Sequence, residues 1–390
     1  MISEEIAKKI SKFIVDLKYE DIPEIAIKKA KICLVDYLAV RNRGMKEEST
    51  KIAIKTMNQL LYSSYSSYSQ YSQYSLQGSP LIEGFINGIA SHTLDFDDGH
   101  KIAQLHPGTV VFSSAIAISK DKSANITGKE FLEAIIVGYE IAILLGEIAN
   151  PHHRNQGFHS TGTIGTFAAG ATIAKLLKLN ISQTIATLGL CGTQSGGLLE
   201  SDHQGTMGKS LHVGNAVYNG ILSAFLAKNG FSAPKSIVGG KEGFLKAMAK
   251  DSYDELNEKI AKNNSYLSDY LNQELGKFHI TEVYFKKYPV CRHLHSAIDS
   301  IIALRSKLIE KYNNSDKNSS FENIVDKIIN TIDEIAIETY KIAAEHNNYD
   351  PKTKEDLKQS LPYSIAIAFV FGDLNLDILD NFNIYNNSNT

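Results

Sequence analysis

The stretch STGTIGTFAAGATIAKLLKLN, residues 160–180, constrains the fold most. Ser160 and Thr161 are good helix N-caps, because their side-chain oxygens accept from backbone N–H groups left open in a first turn. Gly162, Gly165, Ala168, Ala169 and Gly170 then give the helix a surface of small residues. Helices of this kind allow neighbouring backbones to approach closely, so the chain reads as a dense helical assembly. A second small-residue helix covers 213–228 and ends at Asn229-Gly230, a good C-cap pair.

Apolar periodicity extends the pattern. Ile6, Ile10, Phe13, Ile14 and Leu17 recur at helical spacing, which predicts a helix over 3–18. Pro23 opens another that runs to about Leu38, and helices are expected over 80–97, 109–120 and 127–147. YSSYSSYSQYSQYS, residues 62–75, is a low-complexity Ser/Tyr tract and reads as a surface loop. Beyond about residue 275 the character changes. FHITEVYFKKYPV and TIDEIAIETYK alternate and read as strands, with a helix at 293–310 between them. PKTKEDLKQSLPYSIAIAFVFG returns to a helix. The expected fold is mainly α: a large all-α domain over 1–272, rejoined by 352–372. A smaller α+β lid domain is inserted at 273–351, and a tail follows over 373–390.

Composition excludes several functions. The chain has 390 residues, 43% of them apolar, and a formal net charge of −3 without a basic stripe, which argues against a nucleic-acid surface. No charge-free apolar run approaches the ~20 residues of a membrane span. The first helix lacks the long apolar core of a signal peptide. Cys33, Cys191 and Cys291 are too scattered for a disulfide framework, so a cytoplasmic, reducing compartment is the default.

Ten of the twelve histidines fall into four short clusters: 92/100/106, 152/153/159, 203/212 and 293/295. In HTLDFDDGHKIAQLHPGTV, Asp95, Asp97 and Asp98 sit near the expected end of a helix, with Gly99 as its C′ residue. Carboxylates there oppose the helix dipole, a local cost typical of functional sites. In GFHSTGT, His159 directly precedes a helix N-terminus, where open N–H groups attract anions and disfavour a protonated imidazole. In GTMGKSLHVGN, Lys209 and His212 share a helix face. Gly208-Lys209-Ser210 imitates the end of a phosphate loop, but His203 stands where that loop needs glycine. In KKYPVCRHLHSAIDS, Asp299 lies four residues after His295 and is placed to orient it. Cys291, His293 and His295 do not converge as metal ligands at helical spacing. Histidine, lysine, arginine and aspartate without a nucleotide or metal motif suggest proton transfer on a small polyanion.

At these clusters the chain resembles the MmgE/PrpD family, whose members include 2-methylcitrate dehydratase, cis-aconitate decarboxylase and iminodisuccinate epimerase. The resemblance runs through LKYEDIPEIAIKKAKICLVDYLAV, HTLDFDDGH…HPG, GFHSTGTIGTFAAGATIAKLLKL, MGKSLHVGNAVYNGILSAFLAKNGFSAP, KKYPVCRHLHSAID and SLPYSIAIAF, covering about residues 10 to 372. It implies a homodimer with a cofactor-free, metal-free site between a helical domain and a lid. It places the site's acid, histidines and lysine at Asp95, His106, His159, His295 and Lys209, and a lid tyrosine at Tyr349. Members commonly have threonine where this chain has Gly99, and proline where it has Ser160. They usually continue well past the SLPY helix.

The expected activity is a lyase on a citrate-like di- or tricarboxylate, with 2-methylcitrate dehydration first. Lys209, His212 and Arg292 would bind carboxylates, and His159 or His106 would carry the proton. The alternatives are decarboxylation of cis-aconitate, epimerisation of an amino or imino dicarboxylate, and a non-catalytic carboxylate-binding member.

Overall fold

Helix Ser160–Leu176 is buried along nearly its whole length, but its N-cap is His159, without a side-chain cap bond. Ser160 and Thr161 lie inside the first turn, where their hydroxyls meet His153 and the His106 N–H instead of capping the helix. In this computed structural model the described residues are 2–62, 79–120, 125–315 and 321–381; the Ser/Tyr tract from residue 63 onward lies outside them. The chain divides into two compact units, Met1–Glu200 with Met207–Phe285, and Ser201–Thr206 with Lys286–Thr390.

In the first unit Ser160–Leu176 packs against helices Gly208–Lys228, Gly128–Ala149, Pro107–Ser119 and Ile181–Gln194. Small residues make this possible. A Cβ built on Gly88 would lie 3.0 Å from the Gly214 Cα, so helices Pro80–His92 and Gly208–Lys228 meet backbone to backbone. Thr127 starts Gly128–Ala149 with a capping box: its N–H donates to Glu130 at 2.8 Å, and the Glu130 N–H donates to its hydroxyl at 3.3 Å. Losing such a cap costs about 1 kcal/mol. Ile135, Ile136, Ile141 and Ile143 of that helix are 0% exposed, each worth roughly 1.5–3 kcal/mol of transfer free energy. The amino-terminal helix, Ile2–Asp16, buries Ile6, Ile10 and Ile14 on this same core.

The described residues are mainly α-helical; backbone pairing between extended segments is limited to isolated bridges, so the expected α+β character is not found among them. Two local causes are visible. In FHITEVYFKKYPV, Phe278 takes a left-handed φ of 59°, and His279–Glu282 form a 3-10 helix. The buried Glu140 carboxylate fixes that reversal by accepting from the N–H groups of Phe278 (3.1 Å) and Ile280 (3.3 Å). In TIDEIAIETYK the alternation gives a segment without helix or ladder over 332–340, its Ile335 and Ile337 exposed. Alternation specifies a two-sided chain; a strand also needs a partner edge.

The second unit forms its own core. Ile298 and Ile301 of helix His295–Ser315 pack with Ile324 and Ile328, and with Leu361, Ile365 and Phe369 of helix Leu361–Phe371. Leu361, Ile365 and Phe369 thus place the apolar face of helix Leu361–Phe371 in this second core. Among the described residues no helix is long and apolar enough to cross a membrane.

Candidate active site

Helix Pro80–His92 ends earlier than its apolar pattern suggests, with Thr93 as C-cap. The three aspartates consequently lie in the turn beyond the helix, and Gly99 is not its C′ residue. Asp95 takes the left-handed position instead, at φ 50°. An L-residue there costs roughly 1–2 kcal/mol, with aspartate among the better tolerated. Asp98 is a structural anchor. It is buried, and accepts from the Gly108 N–H at 3.0 Å and the Tyr139 hydroxyl at 2.6 Å. Burial pushes its carboxyl up to about 7, although the Tyr139 bond acts the other way.

This turn aligns two imidazoles. His92 Nδ1 bonds Asp97 Oδ2 at 2.7 Å, and His106 Nδ1 bonds the Asp98 carbonyl at 2.5 Å. Carbonyls and carboxylates only accept, so both histidines carry a proton on Nδ1. The buried Nε2 of His92 meets no hydrogen-bond partner among the described residues. His106 is the N-cap residue of Pro107–Ser119, and its backbone N–H donates to the Thr161 hydroxyl at 3.1 Å. The two site loops are thereby tied together.

His159 occupies the N-cap position of Ser160–Leu176, and its carbonyl accepts from Gly162 (3.0 Å) and Thr163 (3.1 Å). Its ring stacks on His92 with centroids 5.5 Å apart and meets His212 at 5.3 Å; His92 and His106 are 5.2 Å apart. The Nδ1 atoms of His159 and His212 are 3.2 Å apart. One ring therefore donates and the other accepts. Burial first, then the neighbouring His92, Lys209, His212 and His106, hold His159 well below the usual imidazole range. The ring is neutral near pH 7. Lys209 Nζ lies 3.3 Å from Asp95 Oδ2, both side chains being largely buried. The structure thus brings Asp95, His106, His159, Lys209 and His212 into the first unit with His92 linking the rings. Sequence reasoning did not select His92, although it opens the quoted motif.

His153, from the same histidine cluster as His159, has a structural role. It is 0% exposed, bonds Ser160 Oγ at 3.2 Å and Thr163 Oγ1 at 2.9 Å, and packs on Phe158 and Phe244. It braces the helix that carries His159. Burial alone brings its ring down to about 4.

The other expected residues belong to the second unit. His295 is buried, with Nε2 3.4 Å from the Val290 carbonyl and its ring edge-on to Tyr288. Asp299, expected to orient it, accepts from Lys287 (2.8 Å) and Tyr288 (2.7 Å). Arg292 is exposed, and Tyr349 is 80% exposed. Tyr340, not singled out from sequence, shares a 2.8 Å hydrogen bond with His293 Nδ1. The two groups of histidine and carboxylate ligand atoms that converge among the described residues include none of the expected site residues.

Sequence models of the MmgE/PrpD N-terminal domain and the MmgE/PrpD C-terminal domain match residues 8–256 and 288–384. The chain belongs to the MmgE/PrpD family. It is 27% identical over 312 residues to a cis-aconitate decarboxylase of Homo sapiens, covering 79% of this chain and 61% of that protein. It is 26% identical over 305 residues to a cis-aconitate decarboxylase of Aspergillus terreus, covering 76% and 60%. To the cis-aconitate decarboxylase-like protein oryM of Aspergillus oryzae it is 23% identical over 383 residues, covering 95% and 75%. The chain thus spans 61% and 60% of the length of the human and A. terreus relatives. Against the threonine expected of MmgE/PrpD members, Gly99 has a local reason. Gly99 and Tyr284 form an antiparallel bridge with N–O distances of 3.0 and 2.9 Å. A Cβ on residue 99 would overlap the Tyr284 hydroxyl and ring, so the tyrosine fills the space a side chain would need.

Proposed function

We propose that this MmgE/PrpD member is a lyase acting on a citrate-like carboxylate, with decarboxylation of cis-aconitate as the best-supported reaction. The observation that carries the reading is the row His106–His92–His159–His212, buried at His92 and His159 and half-buried at its two ends, beside the Lys209–Asp95 pair. Dehydration of 2-methylcitrate, the first expectation from sequence, finds no support among these relatives, two of which are cis-aconitate decarboxylases and the third a cis-aconitate decarboxylase-like protein.

In this reading Lys209 and His212 hold substrate carboxylates, and Asp95 positions the lysine. The bond to one carboxylate breaks, its electron pair moves through the alkene, and a carbon takes up one proton. CO2 leaves and an unsaturated dicarboxylate remains, with one proton consumed. His159 delivers that proton. In the free chain it is neutral. An anionic substrate beside it removes part of the penalty on its charged form, so it can load a proton from solvent. His106 and His92 are fixed as Nδ1–H tautomers, which leaves their Nε2 atoms as acceptors able to relay it. His295, Arg292 and Tyr349 are proposed contributors from the second unit. The resemblance and the small-residue helices support a homodimer; light scattering at the single-chain mass of 43.0 kDa would count against it.

Incubating the purified protein with cis-aconitate, citrate and 2-methylcitrate tests the reading. Stoichiometric CO2 from cis-aconitate is expected. Formation of a conjugated alkene from 2-methylcitrate without CO2 would replace decarboxylation by dehydration.

A further inference from the structure

A second group of chemically competent side chains lies in the first unit and shares no residue with the histidine row. It gathers Glu147 from helix Gly128–Ala149, Glu274 from helix Tyr266–Glu274, and His279 from the 3-10 helix His279–Glu282. One ligand atom from each lies within 4.8 Å of the others. The informative member is His279. It is 5% exposed, and neither ring nitrogen makes a hydrogen bond to any described residue. A buried imidazole with both nitrogens in that state is costly unless something else satisfies it. Its neighbours are carboxylates: Nε2 is 3.4 Å from Glu274 Oε2, and Nδ1 is 3.9 Å from Glu282 Oε1.

The 3.4 Å between His279 and Glu274 is the informative spacing. A charge-assisted N–H···O bond would be ~2.7–2.9 Å. Two ligands on a tetrahedral ion with legs of ~2.05 Å lie ~3.4 Å apart. We infer that Glu147, Glu274 and His279 form a binding site for a divalent transition-metal cation of the zinc type. One imidazole nitrogen and two carboxylates make a three-ligand set that leaves a fourth position for water.

Surrounding groups hold the set. Lys277 bonds the other oxygen of Glu274 at 2.7 Å, and Glu140 pins the backbone on either side of His279. His100 is an orienting neighbour and not a ligand. Its Nδ1 accepts from the Ala103 N–H at 3.2 Å. The proton of the neutral ring therefore sits on Nε2. That nitrogen faces Glu282 at 3.5 Å and Glu147 at 4.0 Å, where it can orient a ligating carboxylate. The cation would strap the segment carrying Tyr284, and thus Gly99, to two helices. Its role is structural, and it stands or falls independently of the proposed activity.

The test uses the full chain stripped with EDTA and then titrated with Zn2+ alone, by calorimetry and thermal unfolding. One equivalent should bind, and at a hundredfold excess over Kd the Tm should rise roughly 3–5 °C. His279→Gln and Glu274→Gln should each weaken Zn2+ binding at least tenfold, while His152→Gln, at an exposed histidine–acid contact, should not. If His279→Gln fails to fold, Glu274→Gln decides. No binding, or Zn2+ retained by the folded variants and lost in His159→Ala, would overturn the assignment.

Discussion

Protonation of His153 tests whether the site's brace is read correctly. The ring is fully buried, and burial brings it to about 4, whereas an unfolded chain titrates near 6.5. The folded state therefore binds fewer protons than the unfolded state between those values. Stability from this group is fully present above about pH 6.5 and is lost as the pH falls toward 4. Integrating from pH 7 to pH 5 gives a loss of about 1.8 kcal/mol. With ~2.1 cal/mol/K of unfolding entropy per residue over the roughly 280 residues of the first unit, that is about 3 °C in Tm. His153→Gln keeps a neutral donor and acceptor near Thr163 but cannot titrate. Calorimetric or urea unfolding of both proteins at pH 7 and pH 5 isolates the effect, because all other groups are shared. Wild type should lose about 1.8 kcal/mol more than the variant, the whole of the linkage contribution. Equal losses would mean that His153 is not a buried neutral imidazole.

Three further outcomes follow from the geometry. Gly99→Ala should cost about 1–3 kcal/mol through overlap with Tyr284, and Tyr284→Ala should relieve it; purely additive unfolding energies in the double-mutant cycle would remove the contact. Lys209→Ala should raise KM for a carboxylate substrate at least tenfold and leave Asp95 without the lysine charge that now lies 3.3 Å away; an unchanged KM would free the lysine from binding. Thr127→Ala should lower stability by about 1 kcal/mol without affecting turnover, as loss of the cap on Gly128–Ala149 predicts; a change in turnover would contradict it.

Much of the first unit was legible because its information is local. Ser160, Thr161 and the glycines after them announce both the start of a helix and its close packing. His159 then falls at that helix's N-cap with no tertiary knowledge. The end of Pro80–His92 was misread because the apolar run continues past Thr93, while the left-handed Asp95 that stops the helix has no composition signal. The role of Asp98 depends on Tyr139, forty-one positions away, and the brace at His153 depends on Phe244, so neither was readable from spacing. The importance of His92 is its ring contact with His159, which its place in the motif does not reveal. The expected strands failed for the complementary reason: alternation is local, but a ladder needs a partner.

The central claim is that His159 carries the reacting proton of a carboxylate lyase. CO2 release from cis-aconitate by folded His159→Ala tests it most directly, with His152→Ala, half-buried in the short helix His152–Asn155 and paired with Glu255, as control. The account predicts a fall in turnover of ~10²-fold or more for His159→Ala, the usual worth of positioned acid–base catalysis, and near-normal turnover for the control. Wild-type turnover in His159→Ala, with its fold intact by circular dichroism, would contradict it.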